Sequence, residues 1–185
     1  MKKIKGILPI LLALAVVGGA VAAGIILTRG GGAHTTYSNY GFSFEYPVGM
    51  EIEELGLWDS EPNNYSGRVV GYVEEGDRFE IVSLDWISYP TAPTTSELED
   101  ILDEGFALME DGATITWRGS FEYGALSGHP IVYESFTAII EGVTGDGVYG
   151  IWYCDQSQRL YELIIMCSDG AEDAFQTYLD SFVCH

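Results

Sequence analysis

Clusters of carboxylates come closest, among the residues of this chain, to a site that could do chemistry. Glu74, Glu75 and Asp77 lie together in a short polar segment, and oxygen ligands of this kind bind hard cations such as Ca²⁺. A second acidic run consists of Glu97, Glu99, Asp100, Asp103 and Glu104. Neither run has the ligand order of an EF-hand loop, so a solvated acidic surface is the favoured interpretation. A weak metal site at Glu74, Glu75 and Asp77 is the alternative.

A glycine motif resembles a nucleotide-binding sequence without its context. Gly145, Gly147 and Gly150 match the pattern G-x-G-x-x-G. A dinucleotide site needs a helix after the motif, so that the phosphates meet the helix N-terminus, whereas a strand is predicted here. We therefore interpret the glycines as part of a hairpin turn.

The histidines and serines indicate no catalytic arrangement. His34, His129 and His185 are the only histidines, and no two have metal-ligand spacing. A hydrolase that used His129 with Ser127 or Ser135 would need a nucleophile elbow, and neither serine has that sequence context. We predict that the chain is not an enzyme and has no cofactor.

The aromatic residues could line a groove for a sugar or a peptide. Trp86, Trp117 and Trp152 fall in predicted strands, where packing in the core is the favoured interpretation. Trp58 falls in a predicted loop and is the better candidate for display at the surface.

The N-terminal residues predict attachment to a membrane. Three lysines precede an uncharged run over residues 7–27, which is long enough to cross the hydrocarbon core as a helix. The lysines place the N-terminus in the cytoplasm and the rest of the chain outside. We expect a signal anchor over residues 1–29, a glycine-rich linker over residues 30–36 and a single-pass protein of the cell membrane.

A cleaved signal peptide is the alternative, since residues 20–22 have the small side chains that signal peptidase recognises. The domain would then be secreted. In either case residues 37–185 should form one domain outside the cytoplasm. Asn64 begins an Asn-Tyr-Ser sequon in a polar stretch and is a candidate for glycosylation.

Charge excludes one class of partner. Four of the eight basic residues lie within residues 1–29, so four arginines and no lysine remain against 28 acidic residues, a net charge of −24. Nucleic acid is not an expected partner, because binding to its phosphates needs clustered cationic side chains.

Hydrophobic patterns predict strands and two helices. Strands are expected at residues 40–46, 50–55, 67–73, 79–86, 113–118, 131–140, 147–154 and 160–167. The two strands on either side of residues 74–77 should form a hairpin, and the last four strands should form an antiparallel meander. Ser96 with Glu99 predicts a capping box for a first helix, and Asp169 with Glu172 predicts the start of a second.

The order of these elements predicts a disulfide bond. A final helix of about 12 residues, roughly 18 Å long, would return the chain to the strand end at Cys154. We therefore pair Cys154 with Cys184, which leaves Cys167 as a buried thiol.

Short motifs are similar to those of a known family. The segment Tyr-Gly-Phe-Ser-Phe-Glu-Tyr-Pro at residues 40–47 resembles the start of PsbP-like domains, Asp180–Phe182 resembles their end, and Gly128–Ile131 resembles a central strand. The resemblance spans most of residues 37–184 and implies an α+β fold, an α/β/α sandwich with a central antiparallel sheet. Plant PsbP is an extrinsic subunit of the oxygen-evolving complex, and no catalytic residues accompany the resemblance.

The sequence thus predicts a noncatalytic, membrane-tethered extracytoplasmic domain. An accessory or protein-binding subunit of an envelope complex is the favoured function. A surface module that binds Ca²⁺ or a small ligand is the alternative.

Overall fold

A computed structural model describes residues 33–58, 66–76, 78–126 and 128–185. The predicted membrane segment, Asn64, Asp77 and Ser127 lie outside these ranges, as do the side chains of Trp58 and Glu75. In the described part of the chain, no helix is long and apolar enough to cross a membrane.

The described residues form two antiparallel sheets and two helices. In chain order the elements are β1 (His34–Asn39), β2 (Phe42–Pro47), β3 (Glu51–Trp58), β4 (Ser66–Glu75), β5 (Arg78–Ser88), α1 (Thr95–Met109), β6 (Thr114–Arg118), β7 (Glu122–Leu126), β8 (His129–Ile140), β9 (Val143–Cys154), β10 (Arg159–Cys167), α2 (Ala171–Ser181) and β11 (Val183–Cys184). The large sheet has the order β3-β4-β5-β10-β9-β8-β6, with β7 also paired to β8, and the small sheet has the order β1-β2-β11. The predicted hairpin and meander are both present.

The two faces of the large sheet are covered by different elements. On one face α1 buries Leu98, Leu102 and Phe106, and the Phe106 ring meets the rings of Phe136 and Tyr149 edge-on. On the other face lie α2 and the small sheet. The sequence predicts the helix but not the small sheet. The fold is α+β, as the sequence predicted.

The glycines of the G-x-G-x-x-G pattern lie inside β9, and the hairpin turn before this strand is at residues 141–142. The prediction of a turn was therefore wrong, although no helix follows the motif either. A Cβ on Gly147 would lie 2.3 Å from a ring carbon of Phe136, and one on Gly150 would lie 2.4 Å from the ring of Phe175. These glycines let aromatic rings lie directly on the backbone of β9.

The start of the domain is earlier than expected. β1 begins at His34, so residues 34–36 pair with β2 and do not belong to a linker.

The first helix has a different cap from the predicted one. Thr94 is the N-cap, its side chain accepts from the backbone N–H of Glu97, and the Glu97 carboxylate accepts from the backbone N–H of Thr94. Thr94 and Ser96 each have a glutamate three residues later, so the pattern alone could not separate them.

The second helix lacks the predicted cap altogether. Its N-cap is Gly170, which has a φ of 73° and no side-chain hydrogen bond to the helix. The left-handed conformation strongly favours glycine, and it displaced Asp169 from the capping position.

The disulfide bond joins Cys154 at the end of β9 to Cys184 in β11, as predicted, and Cys167 is a buried thiol. Its closed loop contains β10 and α2 and holds the small sheet to the large one through β11.

The cap assignment predicts unequal effects of two similar substitutions. Thr94→Ala should lower the free energy of unfolding by about 1 kcal/mol, because it removes the acceptor for a helix N–H. The matched variant Ser96→Ala should change it by only a few tenths of that amount. Urea unfolding of both variants measures the difference, and a larger loss for Ser96→Ala would contradict the assignment.

Replacing both bridged cysteines by serine should cost about 3–4 kcal/mol, because the unfolded chain gains the entropy of an open loop of about 30 residues. Thermal unfolding with and without reductant measures this. Reductant should lower the transition temperature of the wild type and leave that of the double variant unchanged, and an equal shift in both would refute a stabilising bridge.

Candidate interaction surface

One edge of the large sheet is formed by two short strands. β6 and β7 both pair with β8, where Trp117 lies opposite Thr137 and Tyr123 lies opposite Val132. The outer side of an edge strand presents backbone N–H and C=O groups that no neighbouring strand pairs. We call β6 and β7 together the aromatic edge.

Two large aromatic side chains of this edge are exposed to solvent. Trp117 is 55% exposed and Tyr123 is 58% exposed, whereas Trp86 and Trp152 are buried in the core. The prediction that the strand tryptophans pack in the core is thus right for Trp86 and Trp152 and wrong for Trp117. Sequence could not separate them, because the place of a strand in the sheet order depends on long-range pairing.

The two exposed rings lie on opposite faces of the sheet. Their partners on β8 are five positions apart, and successive side chains of a strand alternate between faces. The Tyr123 hydroxyl donates to Glu99 of α1 over 3.0 Å, and this hydrogen bond raises the pKa of Tyr123. Trp117 lies on the face of α2. The rings therefore flank the edge, one on each side.

The positive charge of the domain is already engaged by internal acceptors. The arginine contacts are Arg68 with Asp85, Arg78 with Asp169, Arg118 with Glu134 and Asp103, and Arg159 with the main-chain oxygen of Tyr40. The large excess of carboxylates consequently gives the outer surface a negative potential that attracts cationic groups.

The acidic residues singled out in the sequence are partly engaged as well. Glu74 accepts a hydrogen bond of 2.6 Å from Tyr72, and burial together with this carboxylate raises the pKa of Tyr72 to about 12. In the second run Glu97 caps α1, Glu99 accepts from Tyr123, and Asp103 pairs with Arg118. Among the described residues, no group of three or more side chains could hold a metal ion.

The candidate hydrolase residues do not come together. His129 Nδ1 lies 3.5 Å from Asp155, while the Ser135 hydroxyl donates to Glu172 over 3.0 Å. Both His129 and Ser135 are in β8, six positions apart, which corresponds to about 20 Å along a strand. This separation rules out a proton transfer between them.

The other two histidines belong to the small sheet. His34 begins β1, and Nε2 of His185 lies 3.3 Å from the Ser43 hydroxyl of β2.

A buried polar chain was missed by the sequence reasoning. Arg68, Asp85 and Glu162 lie opposite one another on β4, β5 and β10, and Tyr149 of β9 donates to Glu162 over 2.6 Å. Arg68 Nη2 donates to Asp85 over 2.8 Å. The sequence contains a sign of this chain, because Asp85 and Glu162 each interrupt an apolar strand. It does not show which charged residue of a neighbouring strand lies opposite either carboxylate.

Burial raises the pKa of Glu162 to about 7, and the neighbouring Asp85 carboxylate adds to the effect. A carboxyl group with such a pKa is suited to general acid–base catalysis, yet this one is buried, at 8% exposed, and is hydrogen-bonded to Tyr149. A Cβ on Gly105 of α1 would lie 2.1 Å from the Tyr149 hydroxyl oxygen, so α1 is in close contact with Tyr149. Because Glu162 is buried and internally paired, its protonation affects stability.

Space for a small ligand is also limited in the described structure. An apolar cavity of about 10 Å³ is lined by Phe44, Leu84, Leu163, Tyr178 and Phe182. That volume corresponds to about one water position, far less than the several hundred Å³ of a typical ligand site.

Comparison with known proteins identifies the architecture. The solution structure of cyanobacterial PsbP (CyanoP) from Synechocystis sp. PCC 6803 superposes with a TM-score of 0.56, covering 88% of this chain and 98% of that one. The fold is PsbP-like. The two sequences are 16% identical, so the PsbP-like similarity concerns the fold. No protein family and no curated protein matches the sequence.

The PsbP-like motifs noted in the sequence now have structural places. Residues 42–47 of the first motif form β2, whose Phe42 and Phe44 are buried, and Asp180–Phe182 ends α2. Gly128–Ile131 enters β8. These motifs thus mark packing positions of the PsbP-like fold.

The buried carboxyl predicts a pH dependence of stability. Because the folded state raises the pKa of Glu162, it holds the proton more tightly than the unfolded chain does. The free energy of unfolding should therefore fall as pH rises from about 4.5 to about 7, by roughly 3 kcal/mol, and then level off. Glu162→Gln should remove this loss, so the variant should be more stable than wild type at pH 8 and similar at pH 4.

Urea unfolding at several pH values tests this, with Glu104→Gln as a matched control because Glu104 is exposed on α1. An advantage of Glu162→Gln that is equal at pH 4 and pH 8 would show that the carboxyl does not titrate as described.

Proposed function

We propose that this chain is a noncatalytic accessory domain that binds another protein while residues 7–27 hold it at the outer side of a membrane. The observation that carries the proposal is the pair of exposed aromatic rings, Trp117 and Tyr123, on an open sheet edge. Tryptophan and tyrosine are enriched where proteins bind one another, because they bury a large area at little entropic cost.

The arrangement of reactive groups supports a function without chemistry. Glu162 is buried and accepts a hydrogen bond from Tyr149, and His129 and Ser135 are far apart on one strand. An active site combines such groups in a cleft, where they can reach a substrate. In the described residues these groups bond instead to side chains of the fold: Glu162 to Tyr149, His129 to Asp155 and Ser135 to Glu172.

Attachment to the membrane is supported by the sequence. The uncharged run at residues 7–27 is followed by a short glycine segment and then by β1, which starts at His34. A tether of this length keeps the domain within a few nanometres of the bilayer, where a partner in the same membrane is at high effective concentration. An accessory subunit of an envelope complex fits this geometry.

The proposal predicts a specific partner in the membrane fraction. Crosslinking of the full-length protein in cells that produce it, followed by mass spectrometry, should recover one protein reproducibly. The matched control is residues 1–33 fused to an unrelated soluble domain, which keeps the membrane segment and lacks the PsbP-like domain, since β1 starts at His34. The partner should be absent from that control.

Three results would contradict parts of the proposal. Recovery of the same proteins with the control would refute specific binding by the domain. Turnover of a substrate by the purified protein, abolished by one carboxylate or histidine substitution, would refute a noncatalytic role. A soluble protein that lacks residues 1–22 would replace the anchor by a cleaved signal peptide.

A further inference from the structure

The two edges of the large sheet are protected in different ways. β3, at one edge, has exposed carboxylates at Glu51 and Glu53, and charged side chains on an edge strand oppose pairing with another strand. The aromatic edge also has charged side chains, Arg118 and Glu122, but two large aromatic rings, Trp117 and Tyr123, are more than half exposed beside them. The second edge thus has features of a surface that is covered by a partner.

The geometry of the aromatic edge matches an added strand. The rings of Trp117 and Tyr123 lie on opposite faces, five positions apart along β8, or about 17 Å. Side chains of an extended segment also alternate between faces, so two residues five positions apart would contact one ring each. A helix or a flat surface placed on one face would meet only one of the rings.

The charges around the edge determine the chemistry of the segment. The carboxylates that lie on the edge or pair with residues of β6, β7 and β8 are Glu99, Asp103, Glu122, Glu134, Asp146, Asp155 and Glu172, while the basic residues among them are Arg118 and His129. A basic segment gains Coulomb energy at this edge, and an acidic one is repelled. A second copy of the domain would bring a further charge of −24 and is disfavoured for the same reason.

We propose that the aromatic edge takes up an extended, basic segment of the partner protein as an additional antiparallel or parallel β-strand. This inference rests on the proposed function, because it names the surface and the partner chemistry for the same binding role. Main-chain hydrogen bonds to β6 and β7 supply affinity, and the two aromatic rings select apolar side chains five positions apart.

Synthetic peptides can test the edge without knowledge of the partner. The probe is a labelled ten-residue peptide of lysine and threonine that carries two phenylalanines five positions apart. One control peptide has the phenylalanines four positions apart, which puts both on the same face, and another has glutamate in place of lysine. Fluorescence anisotropy with the full-length protein in a neutral detergent measures binding at low salt.

The first peptide should bind saturably, and both control peptides should bind at least tenfold more weakly. The double variant Trp117→Ala/Tyr123→Ala should also weaken binding at least tenfold. The matched control Val48→Ala/Val183→Ala removes two exposed apolar side chains from β11 and the loop after β2, and it should leave binding unchanged. Thermal unfolding of both double variants checks that each is folded.

Several outcomes would overturn the inference. These are no saturable binding of the first peptide, equal affinity for the peptides with four-position and five-position spacing, or binding that Trp117→Ala/Tyr123→Ala does not change. Self-association of the protein, or binding to phosphatidylcholine vesicles, that is lost in this variant would assign the edge to a second copy or to lipid instead.

The variant also separates this inference from the proposed function. If the membrane partner copurifies equally well with Trp117→Ala/Tyr123→Ala, the accessory function stands and the assignment to this edge falls. If the basic peptide binds at the edge while cells yield no partner, the edge stands and the accessory function falls.

Discussion

The central strands of the large sheet combine two opposite environments, and the rest of the fold depends on keeping them apart. Trp86, Tyr161 and Trp152 lie opposite one another on β5, β10 and β9, with the Trp152 and Tyr161 rings stacked at 5.6 Å. On the other face of the same strands, Asp85 and Glu162 lie opposite each other. Trp86 is thus next in sequence to the partly buried Asp85, and Tyr161 is next to the buried Glu162.

The aromatic row and the carboxyl row must both be shielded from water, and they need different partners. The aromatic row is closed by Phe42 of β2 and by Phe182, whose rings contact Tyr161 at 5.6 Å and 5.0 Å. The carboxyl row needs hydrogen-bond and charge partners, because an isolated buried charge is strongly unfavourable. Arg68 and Tyr149 supply these partners. The small sheet and α2 therefore cover the aromatic face, and α1 packs on Tyr149 at one end of the polar chain.

Sequence reasoning found the elements that follow local rules. Apolar, β-branched and aromatic runs between turns located the central strands, and helix length together with strand order located the partner of Cys154. It missed what depends on a distant neighbour. β7 has the sequence Glu-Tyr-Gly-Ala-Leu, of which only Leu126 is buried. It is a strand because it pairs with β8, and its hydrophobic pattern does not predict it. The αL residue Gly170, which replaced the predicted cap of α2, likewise has no signature beyond being a glycine.

The candidate surface lay beyond the reach of sequence reasoning for a related reason. Trp117 and Trp152 both fall in predicted strands, and the structural difference between them is their place in the sheet order, at an edge and near the centre. That order follows from long-range pairing, which one sequence does not reveal. An exposed tryptophan at an edge is also a hazard, since open edges with apolar side chains favour aggregation. In a domain with a charge of −24, mutual repulsion between copies suppresses that hazard while leaving the edge attractive to a cationic segment. The same acidic composition that first excluded nucleic acid thus gives the aromatic edge its selectivity.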